Sequence, residues 1–171
     1  MTKLRLVVGG NGMAGARAVE EVLLRGGGDQ FDIVIFGDEP YGNYNRIPLS
    51  DILSGVQDPG EIFINSLDWY RENNIVLDAG APVVKIDRAA KVVTSEAGVR
   101  EAYDKLLIAT GSRAFIPPIP GVYGADKRLK SGVFGFRNID DCNGIIARAK
   151  QSSCAAVIGG GLLGLEAAGI E

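Results

Sequence analysis

Apolar positions along this chain fall into short runs that are closed by glycine or proline. "KLRLVV" (residues 3–8) is an apolar run rich in branched side chains and ended by glycines, which predicts a strand. "ARAVEEVLLR" (residues 16–25) places Ala18, Val22 and Leu23 at helical spacing. "GGGDQ" then breaks the chain, and "FDIVIFG" (residues 31–37) is nearly continuous in hydrophobicity, as a strand of a parallel sheet covered on both faces would be. The first 37 residues therefore predict a βαβ unit.

The pattern then turns aromatic, polar and proline-interrupted through "DEPYGNYNRIPLSDILSG", where a loop with a short helix at residues 49–53 is expected. "SLDWYRENNIVLDAG" predicts a helix capped by Ser66, with Leu67 and Tyr70 on one face, before a strand at residues 75–77. Strands are expected at residues 83–87 and 91–94, with Tyr103 following and an apolar strand at 106–109 that ends at Thr110 and Gly111. This reads as a small antiparallel meander returning to a central parallel sheet. "FIPPIPG" (residues 115–121) is a proline-rich connector and places a domain boundary at 120/121. Beyond it, residues 138–150 predict a helix capped by Asn138 or Asp140, and residues 155–158 a closing strand.

Composition narrows the chemistry. A net charge of −3, with only Lys127, Arg128 and Lys130 clustered, gives no basic footprint for nucleic acid, and that cluster reads as a solvated loop. No stretch approaches the roughly 20 apolar residues of a membrane span, and the N-terminal apolar run is too short for a secretory signal, so a cytoplasmic location is expected. The chain has no histidine, which removes catalytic imidazole, and its two cysteines, Cys142 and Cys154, cannot assemble a zinc or iron–sulfur site alone. The 24 glycines, about twice the usual share, are the informative residues.

Two segments echo each other. "LVVGGNGMAGARAVEE" and "AVIGGGLLGLEAAGIE" both run strand, G-x-G-x-x-G, helix, with glycines at Gly10, Gly12 and Gly15 and at Gly159, Gly161 and Gly164. In such a turn the first glycine permits the tight bend, the second lets backbone approach a pyrophosphate, and the third lets helix pack on strand. Unpaired N–H groups at the helix start then face the phosphates. Asp38 and Glu39 sit just past the second strand, roughly where ribose hydroxyls need an acceptor. The second copy has only 17 residues from Ala155 onward, against the roughly 30 of a complete βαβ unit, and is not expected to hold a nucleotide by itself.

"GNGMAG", "FGDEPYGNYNRIPLSDILSG", "LDWYRENNI" and "YDKLLIATGSRAFIPPIPG", followed by "AVIGGGLLGLEAA", resemble the N-terminal flavoprotein part of the large subunit of assimilatory NAD(P)H nitrite reductases, within the pyridine nucleotide–disulfide oxidoreductase superfamily. The resemblance covers essentially the whole chain. It implies an α/β fold: a Rossmann-like FAD-binding domain over residues 1–120, with a central parallel sheet and an antiparallel β-meander, and the start of a truncated NAD(P)H-binding domain over 121–171. It implies FAD at the first fingerprint and NAD(P)H at the second, incomplete one. By position, Gly10, Gly12, Met13, Ala14 and Gly15 would approach the FAD pyrophosphate, with Asp38 and Glu39 near its ribose. Arg46 and Ser50 would approach the flavin, Val84 the adenine, and Thr110 and Gly111 the cofactor where the chain leaves the sheet. Gly159, Gly161 and Gly164 would serve the nicotinamide nucleotide.

Electrons from NAD(P)H would then pass through FAD to a metal centre, held in downstream iron–sulfur and sirohaem modules or in a separate redox partner, with a homo-oligomer possible. Gly9 departs from the family's branched strand residue, which should weaken the strand end slightly. Asp51 stands where many related electron-transfer reductases carry lysine. No cysteine pair follows the first helix, so the dithiol relay of disulfide reductases has no nucleophile here. Two other readings stay open: a non-catalytic nucleotide-binding fragment, and a plain NAD-binding domain. The final residues, 166–171, are expected to fray, with Val157 and Ile158 seeking a sheet edge.

Overall fold

A computed structural model describes residues 2–169. In chain order the elements are β1 (Leu4–Gly9), α1 (Met13–Leu24), β2 (Phe31–Phe36), β3 (Asn43–Tyr44), α2 (Leu49–Ser54), β4 (Phe63–Asn65), α3 (Leu67–Glu72) and β5 (Val76–Asp78). They continue with β6 (Val83–Asp87), β7 (Val92–Ser95), β8 (Arg100–Ala102), β9 (Lys105–Ile108), α4 (Ile139–Ala149) and α5 (Leu162–Ala167). The chain divides into two compact units, one of Met1–Asn45 and Phe63–Ser112, the other of Arg46–Ile62 and Arg113–Glu171.

The first unit is built on a four-stranded sheet of order β5-β2-β1-β9, parallel throughout. Successive residues of β1 point to opposite faces, so both faces of this strand must be covered. Leu6 and Val8 join Ile33 and Ile35 of β2 under Val19 of α1 and Tyr70 of α3. Val7 joins Val34 and Phe36 on the other face, beneath Val93 of β7. That second cover is the antiparallel sheet β6-β7-β8, the meander the sequence predicts, and β9 returns from it to pair with β1.

Helix α1 begins at Met13, three residues before the apolar periodicity suggests, because the glycine turn itself opens the helix with Gly12 as N-cap. Its buried face is Gly15, Ala16 and Val19, with Val22 and Leu23 packed at the margin. Ser66 caps α3 by accepting from the Trp69 amide, as expected. Leu67, however, is 49% exposed while Tyr70 is 1% exposed, so the two do not share a buried face; Trp69, edge-on to Tyr70, takes the place expected of Leu67. The antiparallel pair of β3 and β4 has no signature in the sequence, since two or three residues carry too little periodicity.

Gly9 lies inside β1 and pairs with Phe36 on one side and Ile108 on the other, so ladder bonds hold the strand despite the missing side chain. A Cβ there would find Thr110 Cγ2 and Val83 Cγ2 at 3.8 Å, ordinary contact. Gly9→Ala is therefore expected to be neutral or to stabilise by about 0.5 kcal/mol, measured by thermal unfolding.

In the second unit Asn138, rather than Asp140, caps α4, through a reciprocal capping box with Asp141. Leu49 and Ile52 of α2 and Ile139 and Cys142 of α4 are buried. The basic cluster at residues 127–130 lies in a turn, with Lys127, Arg128 and Lys130 exposed. The strand expected at residues 155–158 does not form. A strand exists only with a hydrogen-bonded neighbour, and no pairing reaches this segment among the described residues; Val157 and Ile158 are exposed. The turn and helix after it do form, and α5 runs to Ala167; of the residues expected to fray, Ile170 and Glu171 lie outside the described residues.

Candidate dinucleotide site

The ends of β1, β2 and β9 converge on the first fingerprint, and each glycine there has a separate geometric reason. Gly10 has φ +116°, and a Cβ on it would lie 2.1 Å from the Ala109 carbonyl oxygen, where the chain leaves β9. A Cβ on Gly15 would lie 2.0 Å from the Gly10 carbonyl oxygen, so only glycine lets α1 rest on the turn. Gly12 is different. Its backbone is extended, with φ −76° and ψ −176°, and a Cβ would meet nothing within 4 Å. The open space at Gly12 is a cradle that any side chain would begin to fill, as a close backbone approach to phosphate requires.

No side chain caps the N-terminus of α1 and no acidic residue stands in its first turn. Met13 and Ala14 are exposed there. A 12-residue helix with an uncapped, acid-free start fits an anionic group, by its amide donors and its dipole.

Past β2, Asp38 is exposed and Glu39 is half-buried, its carboxylate accepting from the Tyr44 hydroxyl at 2.5 Å. The Glu39 carbonyl also accepts from the Gly80 amide, so the acidic pair sits on a loop fixed at its backbone. Thr110 and Gly111 are exposed beyond β9; Thr110 flanks Gly9, and Gly111 has φ +68°. Val84 is exposed on β6, while its neighbour Val83 reaches Gly9. Arg46 and Ser50 belong to the second unit, Arg46 just before α2 and Ser50 in its first turn, both half-buried.

A polar network behind the turn went unread in the sequence. The Tyr70 hydroxyl donates to Asn11 Oδ1 at 2.8 Å and accepts from the Asn43 amide at 3.1 Å. Asn43 Nδ2 donates to the Asn11 carbonyl, and Asn11 Nδ2 to the Tyr41 carbonyl, each at 3.3 Å. Burial pushes the Tyr70 phenol above its ordinary pKa, only partly opposed by its bonds to Asn11 and Asn43, which keeps its proton in place. Nearby, buried Asn65 donates to Glu20 at 2.9 Å and ties β4 to α1. The one available signal was the amide of Asn11 between two glycines, a polar side chain in a turn otherwise stripped of them.

The second fingerprint repeats the geometry of the first. Gly159 has φ +137°, a Cβ on Gly164 would lie 2.1 Å from the Gly159 carbonyl oxygen, and Gly161, the N-cap of α5, is open. What differs is the surroundings: a Cβ on Gly159 meets nothing within 4 Å, whereas Gly10 is pressed against the Ala109–Thr110 backbone just past β9.

Both cysteines are free. Cys142 is buried with its thiol toward the Leu49 carbonyl, and burial pushes it up to about 11; Cys154 is exposed. At pH 8 only about a thousandth of Cys142 would be thiolate, so iodoacetamide is expected to modify Cys154 alone until the protein is unfolded, as peptide mass analysis would report. Among the described residues no cluster of three or more His, Cys, Asp or Glu could hold a metal, and no helix is long and apolar enough to cross a membrane.

The family model described as pyridine nucleotide-disulphide oxidoreductase matches residues 4–170. Among similar proteins, an NAD(P)H nitrite reductase of Bacillus subtilis is 52% identical over 168 residues, which is 98% of this chain and 20% of that protein. The assimilatory nitrate reductase electron transfer subunit of the same organism is 50% identical over 98% of the chain and 21% of its own length. Among solved structures, NADH:rubredoxin oxidoreductase from Clostridium acetobutylicum superimposes with a TM-score of 0.84 at 31% identity, over 99% of this chain and 42% of that one. The chain thus spans about a fifth of the curated relatives named here. With the parallel sheet, the glycine turn and this match over nearly every residue, the chain belongs to the pyridine nucleotide-disulphide oxidoreductase family.

Proposed function

We propose that the chain is the FAD-facing portion of an NAD(P)H-dependent oxidoreductase of the nitrite reductase large-subunit type, with residues 1–120 as its FAD-binding domain and 121–171 opening an NAD(P)H-binding domain. The family's members are FAD- and NAD(P)H-dependent oxidoreductases. The observation that carries the reading is the division of labour in the first turn: Gly10 and Gly15 are sterically required, and Gly12 is open where a pyrophosphate would approach.

In this reading the Gly12, Met13 and Ala14 amides receive the pyrophosphate, and Gly10 and Gly15 hold the turn that presents them. Exposed Asp38 is free to meet ribose hydroxyls, with Glu39 beside it oriented by Tyr44. Val84 lines the adenine, Thr110 and Gly111 border the cofactor, and Arg46 and Ser50 approach the flavin. Gly159, Gly161 and Gly164 form the corresponding turn for NAD(P)H. When bound, FAD supplies the redox chemistry, acceptance of a hydride from NAD(P)H and onward transfer of electrons to a metal centre in another module or partner. The chain's own part is to bind, orient and shield. No cysteine pair lies beside the turn to divert electrons into a disulfide.

The test is anaerobic addition of NADH, then NADPH, to the FAD-loaded protein. Loss of the flavin band near roughly 450 nm supports the oxidoreductase reading. FAD uptake without bleaching favours a nucleotide-binding portion that lacks a working nicotinamide site. Binding of NAD with no uptake of FAD would overturn the assignment in favour of a plain NAD-binding domain.

A further inference from the structure

We propose that Asn43 and Tyr70 are positioning residues that aim the Gly12 amide at an incoming phosphate, through a hydrogen-bonded latch on Asn11; this rests on the reading of the first fingerprint as the pyrophosphate site.

The peptide between Asn11 and Gly12 sets the direction of the Gly12 amide. Its carbonyl oxygen is held by Asn43 Nδ2 at 3.3 Å. The peptide is trans, as are all in the described chain, so its N–H points opposite to that carbonyl. Anchoring the Asn11 carbonyl against β3 therefore turns the Gly12 N–H away from Asn43. A Cβ on Gly12 would meet nothing within 4 Å, so this stretch of backbone is open on its Cβ side to a ligand.

Asn43 must itself be fixed for this to work. It is 2% exposed, and its backbone N–H donates to the Tyr70 hydroxyl. Because that oxygen accepts from Asn43, its own proton is available to Asn11 Oδ1, which it meets at 2.8 Å. Asn11 Nδ2 is thereby left as the donor and reaches the Tyr41 carbonyl. Every polar atom of the Asn11 side chain is used, and each bond has one permitted direction. Tyr70 is 1% exposed and packed in the core with Val8 and Ile35, so the latch is referenced to the sheet rather than to a loop. Preorganised donors bind an anion without having to be ordered at the moment of binding.

The second fingerprint makes the contrast. Its corresponding position is Gly160, which has no side chain to latch and no atom within 4 Å of a built Cβ. The two turns share glycine geometry, and only the first carries the latch.

Tyr70→Phe removes the hydroxyl while keeping the ring, and Asn43→Ala removes the carbonyl anchor. Ile75→Val, in the same core cluster but outside the latch, serves as a control for general loosening. The readouts are the Gly12 amide order parameter from nitrogen-15 relaxation and the affinity for FAD by flavin fluorescence. The latch predicts that the order parameter falls from about 0.85 toward 0.6 in both latch variants and holds in Ile75→Val. FAD affinity should fall about tenfold in the same two variants. An unchanged Gly12 order parameter in either folded latch variant, an equal fall in Ile75→Val, or undiminished FAD affinity alongside a loosened turn would each overturn the proposal. A parent protein that takes up no FAD would overturn the cofactor reading itself, while the relaxation data still decide whether the latch orders the turn.

Discussion

Gly15→Ala is expected to destabilise the protein by about 3 kcal/mol or more, lowering its melting temperature by roughly 6–12 °C. The new Cβ would sit 2.0 Å from the Gly10 carbonyl oxygen and 3.5 Å from the Ala109 Cβ. The closest atom is backbone, so no flexible side chain can swing aside. Relief requires α1 to move off the turn, which uncovers Val19 and loosens the face formed by Leu6, Val8, Ile33 and Ile35. Nucleotide affinity would fall with it, as a consequence of the displaced helix start. Thermal unfolding by circular dichroism measures the first effect, and a melting temperature within a degree of the parent would contradict it.

Gly12→Ala is expected to do the reverse. Its backbone angles suit alanine, and a Cβ there meets nothing within 4 Å, so the fold should keep its melting temperature within about 1 °C. The methyl would occupy the space into which the pyrophosphate must come, and the phosphate would be held off the Gly12, Met13 and Ala14 amides. The expected loss of FAD affinity is about 100-fold, equivalent to about 2.8 kcal/mol. Thermal unfolding and isothermal titration of the two variants side by side separate a glycine that builds the turn, which loses stability and affinity together, from one that admits the ligand, which loses affinity alone. Equal losses of stability in both would refute that separation.

The parts of this molecule that were legible in sequence are those whose cause is local. The alternation of Leu6, Val7 and Val8, buried on both faces, belongs to a central parallel strand, and "FDIVIF" reads the same way for the same reason. The glycines of the first fingerprint were legible from their spacing, and Gly15 meets a constraint set within a few residues, against Gly10, whereas the Ala109 carbonyl that confines Gly10 lies far along the chain. Ser66 was legible as a cap, and Asn138 as one of two candidates with Asp140, because the amides they accept from lie three residues on. Asp38 and Glu39 follow the end of β2, a position readable from the apolar run, but that Glu39 is held by Tyr44 depends on a loop path that periodicity does not carry.

What was illegible depends on distant partners. The bond from Tyr70 to Asn11 spans 59 residues, and the helical pattern of α3 allowed only that Tyr70 faces inward. The same pattern assigned Leu67 to the buried side, whereas this short helix buries Tyr70 and packs half-buried Trp69 beside it, leaving Leu67 exposed. At residues 155–158 the run of apolar side chains predicted a strand, yet strand formation belongs to a pair of segments. The turn at Gly159, Gly161 and Gly164 survives without the strand because its contacts are internal, between Gly164 and the Gly159 carbonyl.

The central claim is that the first glycine turn, and not another surface of the chain, receives the dinucleotide. Amide chemical-shift mapping of the nitrogen-15-labelled protein during titration with FAD tests it most directly. The account predicts saturable shifts that are largest at Gly12, Met13 and Ala14, with smaller ones at Asp38, Thr110 and Gly111, and their loss in Gly12→Ala. Saturable shifts centred elsewhere, with the amides of residues 10–15 unmoved, would contradict it.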